Sequence, residues 1–437
     1  MIPELLGIKR IVEEKAKGGK AQNLASAINK DTLSAIHRGM DGKKAVGVDG
    51  VTKWEYQEQL EDNLEKLVER MKRGGYRPNP SRRQYIDKPG SNKKRPLGIS
   101  CYEDKLVEKA VASLLEIVYE PIFLNNSFGF RPGRNCHQAI REVIEDIQYR
   151  KTNYVVEADI RSFFDTLNHE WLIKFLEHDI ADKKFIDIIQ KLLKAGVMED
   201  GKRLIKEEGS PQGGGASAAL ANIYLHYVLD LWFEKSVRKQ CQGEAYLIRY
   251  ADDFVCCFQQ LDEAERFYTM LEERLAKFHL ELAKEKTRIL EFGRFAVKNR
   301  KARGQKKPET FSFLGFTFYC STDGRKGFFR VKVKTDRKKF ISKLKKLNIW
   351  MKEHRHYRLL DIIKRLNQSL RGHYQYYGVT DNTGSICKFL HFVKKILFKW
   401  INRRSQKRSY NWDTFNTQIM VVFPLIQPKI KVSLFYR

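Results

Sequence analysis

A chain of 437 residues with 42% hydrophobic content is too long for one compact core and is expected to fold as two or three globular domains. Its 82 Lys+Arg against 53 Asp+Glu leave a net charge of +29, a field that attracts polyanions, with nucleic acid the first candidate and a ribosome-like or non-specific basic protein the plainer one. Seven cysteines without a C-x-x-C spacing argue against a zinc site or a disulfide framework, and the lack of a secretory apolar core or a membrane-length apolar run predicts a soluble, cytoplasmic protein with no membrane partner.

Residues 1–45 are mixed, basic and predicted helical, ending in a turn at Gly47-Val48-Asp49-Gly50. Residues 51–74 are predicted as one helix, because Leu60, Leu64, Leu67 and Met71 recur at helical spacing and Gly74-Gly75 closes it. Two short strands are predicted around a KPGSN loop, with Lys88, Lys93, Lys94 and Arg95 beside it. An amphipathic helix over 103–120 stops near Pro121, a strand follows at 153–160, and the chain is then helical to about 195. Residues 218–236 read as one strongly apolar helix, with Ser217 placed to cap it. AYLIRY enters and FVCCF leaves a turn at Tyr250-Ala251-Asp252-Asp253, and 262–279 is helical again. The segment 294–310 reads as a solvated basic loop of a composition that meets phosphates, and 311–320 as a strand run. From 336 onward helices dominate: Phe340, Leu344, Leu347 and Met351 share one face while Lys338, Lys345 and Lys352 lie elsewhere. Any single lysine there fits a solvated face over an ordinary core, whereas the repetition over three helices favours an RNA-binding surface.

Ala-Asp-Asp at a strand–turn–strand junction puts two carboxylates on a tight hairpin. Like charges that close repel unless a cation sits between them. Apolar entry and exit strands imply a buried sheet, and Asp159 ends another buried strand, VVEADI. If the two strands are neighbours, Asp159 faces Asp252 and a two-metal carboxylate cluster results. Magnesium suits it, being a cation that prefers oxygen ligands and shares them with substrate phosphates. Taken alone, Asp-Asp at a turn is ordinary turn chemistry; its company decides otherwise.

That company runs through most of the chain. It includes GVDG at 47–50, YRPNPSRRQYI at 76–86, KRPLGI at 94–99, SFGFRPGRN at 127–135, ADIRSFFDTLNHEWL at 158–172 and GSPQGG at 209–214. It continues with LANIYLHYVLDLWFE at 220–234, RYADDFVCCF at 249–258, LELAKEKTRILEFGRFA at 280–296, FLGF at 313–316, LRGHYQYYGV at 370–379 and KWINRRSQKRSYNW at 399–412. In this order the segments resemble the sequential motifs of reverse transcriptases, and specifically of group II intron reverse transcriptase/maturases.

The resemblance implies an α+β right-hand polymerase fold of fingers, palm and thumb. Its expected divisions are a helical N-terminal extension at 1–50, fingers and palm over 51–325, and a helical thumb and maturase-like RNA-binding region over 326–437. By position, Asp159 and Asp252 are expected to ligate two Mg2+ ions (Mn2+ being a possible substitute), with Asp253 beside them in the metal site. Lys88 and Arg95 match residues that hold the incoming deoxynucleoside triphosphate, Phe164 a steric gate against a ribose 2′-hydroxyl, and Gln212 and Gly213 residues near nucleotide and template. Lys286 matches a proton donor to pyrophosphate, and Phe313, Leu314, Gly315 and Phe316 a grip on the primer end. The implied partners are an RNA template, a DNA primer and group II intron RNA. After the thumb no His/Asn-rich or paired-Cys module follows, so the family's optional endonuclease is not expected.

The bulky Phe164 speaks against an RNA-dependent RNA polymerase, and the intact carboxylates against a non-catalytic splicing factor on a polymerase scaffold. A domesticated enzyme serving host defence or repair stays open beside a mobile-intron role. One departure stands out: relatives usually follow Gln-Gly-Gly with two branched apolar residues and Ser-Pro-Leu-Leu-Ala-Asn, where this chain has Gly215-Ala216-Ser217-Ala218-Ala219-Leu220-Ala221-Asn222.

Overall fold

The computed structural model describes residues 19–87, 94–204, 208–209, 213–324, 327–404 and 410–435. Near the N-terminus α1 (Lys30–Gly39) begins at Asn29, whose side chain accepts from the Thr32 N–H. The helix expected over 51–74 is two, α2 (Lys53–Glu58) and α3 (Leu60–Lys72). The chain breaks at Gln59 (φ −125°, ψ 40°), while a reciprocal Thr52–Glu55 capping box starts α2. Strands β1 (Ser81–Asp87) and β2 (Lys94–Ile99) pair antiparallel, and the KPGSN segment expected to be a loop lies outside the described residues. Helices α4 (Tyr102–Tyr119) and α5 (Cys136–Gln148) lead to β3 (Tyr154–Asp159). Next come α6 (His169–Asp179), α7 (Lys183–Lys194), β4 (Val197–Glu199) and β5 (Lys202–Leu204).

The apolar helix expected over 218–236 begins as α8 (Ser217–Leu225), then loosens to π winding over His226–Asp230 and Phe233–Val237. Its cap position is Ala216, with no side-chain capping bond, so Ser217 is not the cap. Then come β6 (Ala245–Tyr250), β7 (Asp253–Phe258), α9 (Leu261–Lys277) and β8 (Arg288–Glu291). The basic 294–310 segment contains α10 (Ala296–Ala302), anchored by buried Ala296, and is not wholly a loop. The run at 311–320 is a hairpin, not one strand: β9 (Phe311–Phe313) and β10 (Phe316–Thr322) turn at Leu314 and Gly315, which both take positive φ. β10 also pairs with β11 (Phe329–Thr335) across the boundary expected near 325. Helices α11 (Arg337–Glu353), α12 (Leu359–Tyr377) and α13 (Thr383–Ile401) follow.

Three sheets result, ordered β2-β1-β4-β5, β6-β7-β3-β8 and β11-β10-β9. The middle one is covered on both faces. Val156, Ala158, Phe254 and Cys256 belong to a core shared with α1, α3, α4 and α8. Val155, Val255, Cys257 and Ile248 alternate with them and join α5 and the third sheet. Two covered faces explain why FVCCF is continuously apolar, since a strand with one wet face would alternate. A third core holds α11, α12 and α13 together. Among the described residues no helix is long and apolar enough to cross a membrane.

Candidate active site

The middle sheet sets the site by register. β3 and β7 are antiparallel neighbours with Asp159 opposite Asp253, and β6 joins β7 with Tyr250 opposite Asp253. The connection is therefore a two-residue turn, Ala251-Asp252. Asp159 faces Asp253 across the ladder, not Asp252 as expected, and Asp252 stands on the turn above the pair. Ala251 takes φ +57°, a left-handed conformation that a side chain disfavours by about 1–2 kcal/mol.

Buried polar groups hold that conformation. The Arg249 guanidinium is fully buried; it donates through Nε (2.7 Å) and Nη2 (2.5 Å) to the two carboxylate oxygens of Asp230. Its Nη1 donates to Asn222 Oδ1 at 3.0 Å and to the Ala251 carbonyl at 2.9 Å. Asn222 Nδ2 in turn donates to the Gly129 carbonyl at 2.7 Å. Gly129 lies so close to the turn that a Cβ there would sit 2.3 Å from the Ala251 nitrogen. Asp230 reaches Arg249 from the end of the π-wound turn, the kind of local widening that recurs at functional sites.

Burial pushes the Asp253 carboxyl up to about 7, and the nearby Asp252 and Asp159 charges push the same way, while the Leu314 N–H that it accepts from opposes them. The Asp252 carboxyl is also raised, first by burial and then by Asp159, against the pull of Arg95 and Arg249. Lys286 Nζ donates to Asp159 Oδ2. The segment carrying Lys286 is fixed beside β3 by Ala283 N–H to Asp159 O (2.8 Å) and Arg161 N–H to Glu281 O (2.8 Å).

Among the described residues no group of three or more His, Cys, Asp or Glu side chains is placed to hold a metal ion by itself. The donor set nevertheless fits a hard cation. Its side-chain donors are carboxylate oxygens, and Asp252 and Asp253 hold their protons more tightly than usual because of burial first and neighbouring carboxylates second, a cost that a bound cation would offset. A cation that keeps waters and shares phosphate oxygens needs only one or two protein carboxylates.

Around the carboxylates, Phe164 is half-buried on a single helical turn (Phe163–Thr166) just after β3, its ring 5.4 Å from that of Phe163. Gly209, at φ +90°, closes onto the Phe164 and Asp165 carbonyls, where a Cβ would sit 3.1 and 2.9 Å away. Gly213, at φ +111°, approaches the Gly98 carbonyl of β2. The end of β2 and Gly215 are tied together by a residue that the sequence did not reveal. Buried Glu108 accepts from Ser100 Oγ (2.6 Å) and from the Gly215 N–H (2.5 Å). Ala218 and Ala219 are half-buried at the edge of the core, whereas Ala216 is buried within it.

Phe313 and Phe316 are buried in the third sheet, so their side chains build core; the turn between them is what faces Asp253. Tyr376 Oη donates to the Leu314 carbonyl at 2.7 Å, and Tyr377 Oη lies 2.9 Å from where a Gly315 Cβ would be. The structure thus gathers Asp159, Asp252, Asp253 and Lys286 at one end of the middle sheet. Arg95 is within electrostatic reach of Asp252. Lys88 and Gln212 lie outside the described residues.

Residues 86–318 match the family described as "Reverse transcriptase (RNA-dependent DNA polymerase)", and residues 337–416 the "Group II intron, maturase-specific domain". The chain is 30% identical over 416 residues to "Group II intron-encoded protein LtrA" of Lactococcus lactis subsp. cremoris, covering 78% of this chain and 67% of that protein. It is 37% identical over 243 residues to "Protein YkfC" of Escherichia coli (strain K12), covering 49% of this chain and 63% of that protein. It is 31% identical over 106 residues to "Nuclear intron maturase 2, mitochondrial" of Arabidopsis thaliana, covering 23% and 14%. The chain belongs to the group II intron reverse transcriptases, RNA-directed DNA polymerases that carry a maturase-specific domain.

Proposed function

We propose that Asp159 and Asp252 hold two Mg2+ ions, with Asp253 completing the site, and that the chain copies RNA into DNA there from a primer and deoxynucleoside triphosphates. The observation carrying this reading is the register that sets Asp159 against Asp253 with Asp252 on the turn between β6 and β7. In this reading the sheet β6-β7-β3-β8 is the palm, β1 and β2 belong to the fingers, and α11–α13 form the thumb and the maturase surface that takes intron RNA.

When bound, the ions lower the pKa of the primer 3′-hydroxyl and clamp the phosphate for in-line displacement. The chain's own residues do the rest. Arg95 orients the triphosphate, a role that the family pattern also gives Lys88; Gly213, with Gln212 by the same pattern, meets nucleotide and template. Phe164 fills the volume that a 2′-hydroxyl would need. Lys286, held at Asp159, carries the proton that the departing pyrophosphate takes. The Leu314–Gly315 turn supports the primer terminus beside Asp253, with Phe313 and Phe316 anchoring it from the core.

Asp252→Asn tests the site. Primer extension on an RNA template is expected to fall by orders of magnitude while RNA affinity in filter binding stays near that of the parent, because the basic surface is untouched. Extension at the parental rate would overturn the assignment.

A further inference from the structure

At the end of the middle sheet away from the carboxylates lies a cleft of about 1340 Å³. The sheet itself fixes the separation. β3 runs from Asp159 at the catalytic end to Tyr154, which pairs with Glu291, and Arg294 on the rim of the cleft follows shortly after. Five strand steps of about 3.3 Å put roughly 17 Å between Asp159 and the Arg294 rim, while the Thr310 rim reaches nearer, its carbonyl accepting from Arg288 beside Glu157. The cleft is larger than the roughly 300–1,000 Å³ that suits one small molecule.

Its lining combines rings with cations. Tyr149 and Phe328 are 65% and 67% exposed and line the same cleft, so two large rings stand open to one ligand. Arg294, Lys307 and Lys334 line the same cleft, and Asp323 is the single carboxylate among its lining residues. Lys307 and Lys334 form no carboxylate ion pair among the described residues, and Lys334 Nζ sits 5.4 Å from the centre of the Tyr319 ring. Exposed rings interleaved with unneutralised cations are what unpaired bases and their phosphates require, whereas a protein partner for so basic a rim would have to supply the missing carboxylates.

We propose that this cleft is a second RNA site, taking a short single-stranded segment whose bases stack on Tyr149 and Phe328 and whose phosphates meet Arg294, Lys307 and Lys334. The inference rests on the reading of the protein as one that acts on RNA and gives it a handhold apart from the polymerising site. A loop or junction of a structured RNA can be held there while a primer–template occupies the carboxylate end.

The test loads the protein with an RNA–DNA primer–template and then titrates a fluorescent, unstructured RNA. Tyr149→Ala/Phe328→Ala is expected to weaken the second binding event by about ten-fold or more per ring. Arg294→Gln/Lys307→Gln is expected to weaken it and to flatten its salt dependence. Both rings are exposed, so the double variant should fold, and an unchanged melting temperature checks this. Extension of the loaded primer should remain at the parental rate in both variants. Unchanged affinity in the ring variant overturns the proposal, as does an equal loss of primer extension, which would make the cleft part of the polymerase channel. Preference for a duplex over the single strand, or saturation only by a protein partner, overturns it as well. Failure of the parent itself to extend the primer would instead strike the polymerase reading.

Discussion

Gly129→Ala probes how tightly the hairpin that carries Asp252 and Asp253 is located. The new Cβ would meet the Ala251 nitrogen at 2.3 Å, the Tyr250 carbonyl carbon at 2.9 Å and the Ala251 Cα at 3.1 Å, where ordinary contact begins near 3.4 Å. All three are backbone atoms of the turn that carries Asp252, so no side chain can swing aside, and the two segments must part by about 1 Å. Overpacking of this kind costs about 1–3 kcal/mol. A displacement of about 1 Å at reacting groups lowers rates about 10²-fold. Single-turnover primer extension at saturating nucleotide should therefore slow by one to two orders of magnitude, with RNA affinity near that of the parent. Gly39→Ala, whose Cβ meets nothing within 4 Å, is the control and should extend normally. A Gly129→Ala protein that extends at the parental rate would show that the hairpin tolerates displacement and would refute the argument from register.

The remaining predictions address other parts of the site and its support. Asp230→Ala leaves the buried Arg249 guanidinium without its carboxylate and should cost about 3–5 kcal/mol in urea unfolding; a loss below about 1 kcal/mol would mean that the network is not what holds the turn. Phe164→Ala should raise incorporation of ATP relative to dATP, and an unchanged ratio would move the gate to another residue. Burial pushes buried Asp104 up to about 7, against an unfolded value near 3.9. Between roughly pH 4 and 7 the native state then keeps a proton that the unfolded chain loses, so stability falls as pH rises through this window, by up to roughly 1.4 kcal/mol per pH unit. Asp104→Asn should lack this slope, and parallel stability–pH curves for the two proteins would contradict it.

Much of the site was legible because its chemistry coincides with local pattern. Asp159 and the Asp252-Asp253 pair stand at the ends of apolar runs, and apolar runs announce buried strands. Register was not legible. A two-residue turn takes Ala251 and Asp252 out of the ladder, and nothing in the alternation of side chains reveals that Ala251 adopts a positive φ. The same limit merged β9 and β10 into one strand, since Leu314 adopts a conformation that its residue type disfavours and only Gly315 hints at it. The 294–310 segment read as a loop because its composition is that of a solvated surface, and the one buried side chain of α10, Ala296, is too small to mark a face. Gly129, Glu108 and Asp230 escaped for another reason. Each acts on a residue about twenty to more than a hundred positions away (Ala251, Gly215 and Arg249 respectively), and in sequence they look like a loop glycine and two ordinary helix charges.

The hydrogen bond from Tyr376 to the turn beside Asp253 bears on how the chain can be dissected. Tyr376 belongs to the maturase-specific region, and the packing around it is mutual: Val379 and Leu434 lie in one apolar layer with Phe313, Phe316 and the underside of β3 and β7. A fragment ending between the two matched regions, after 318 and before 337, would strip that layer of its cover and leave the Leu314 carbonyl without its donor. Such a fragment should expose a sticky apolar face rather than survive as a minimal polymerase. Slow amide exchange should extend without a break from β7 through β10 into α12, so that a ligand gripping the C-terminal helices also slows the opening of the strands that carry the carboxylates.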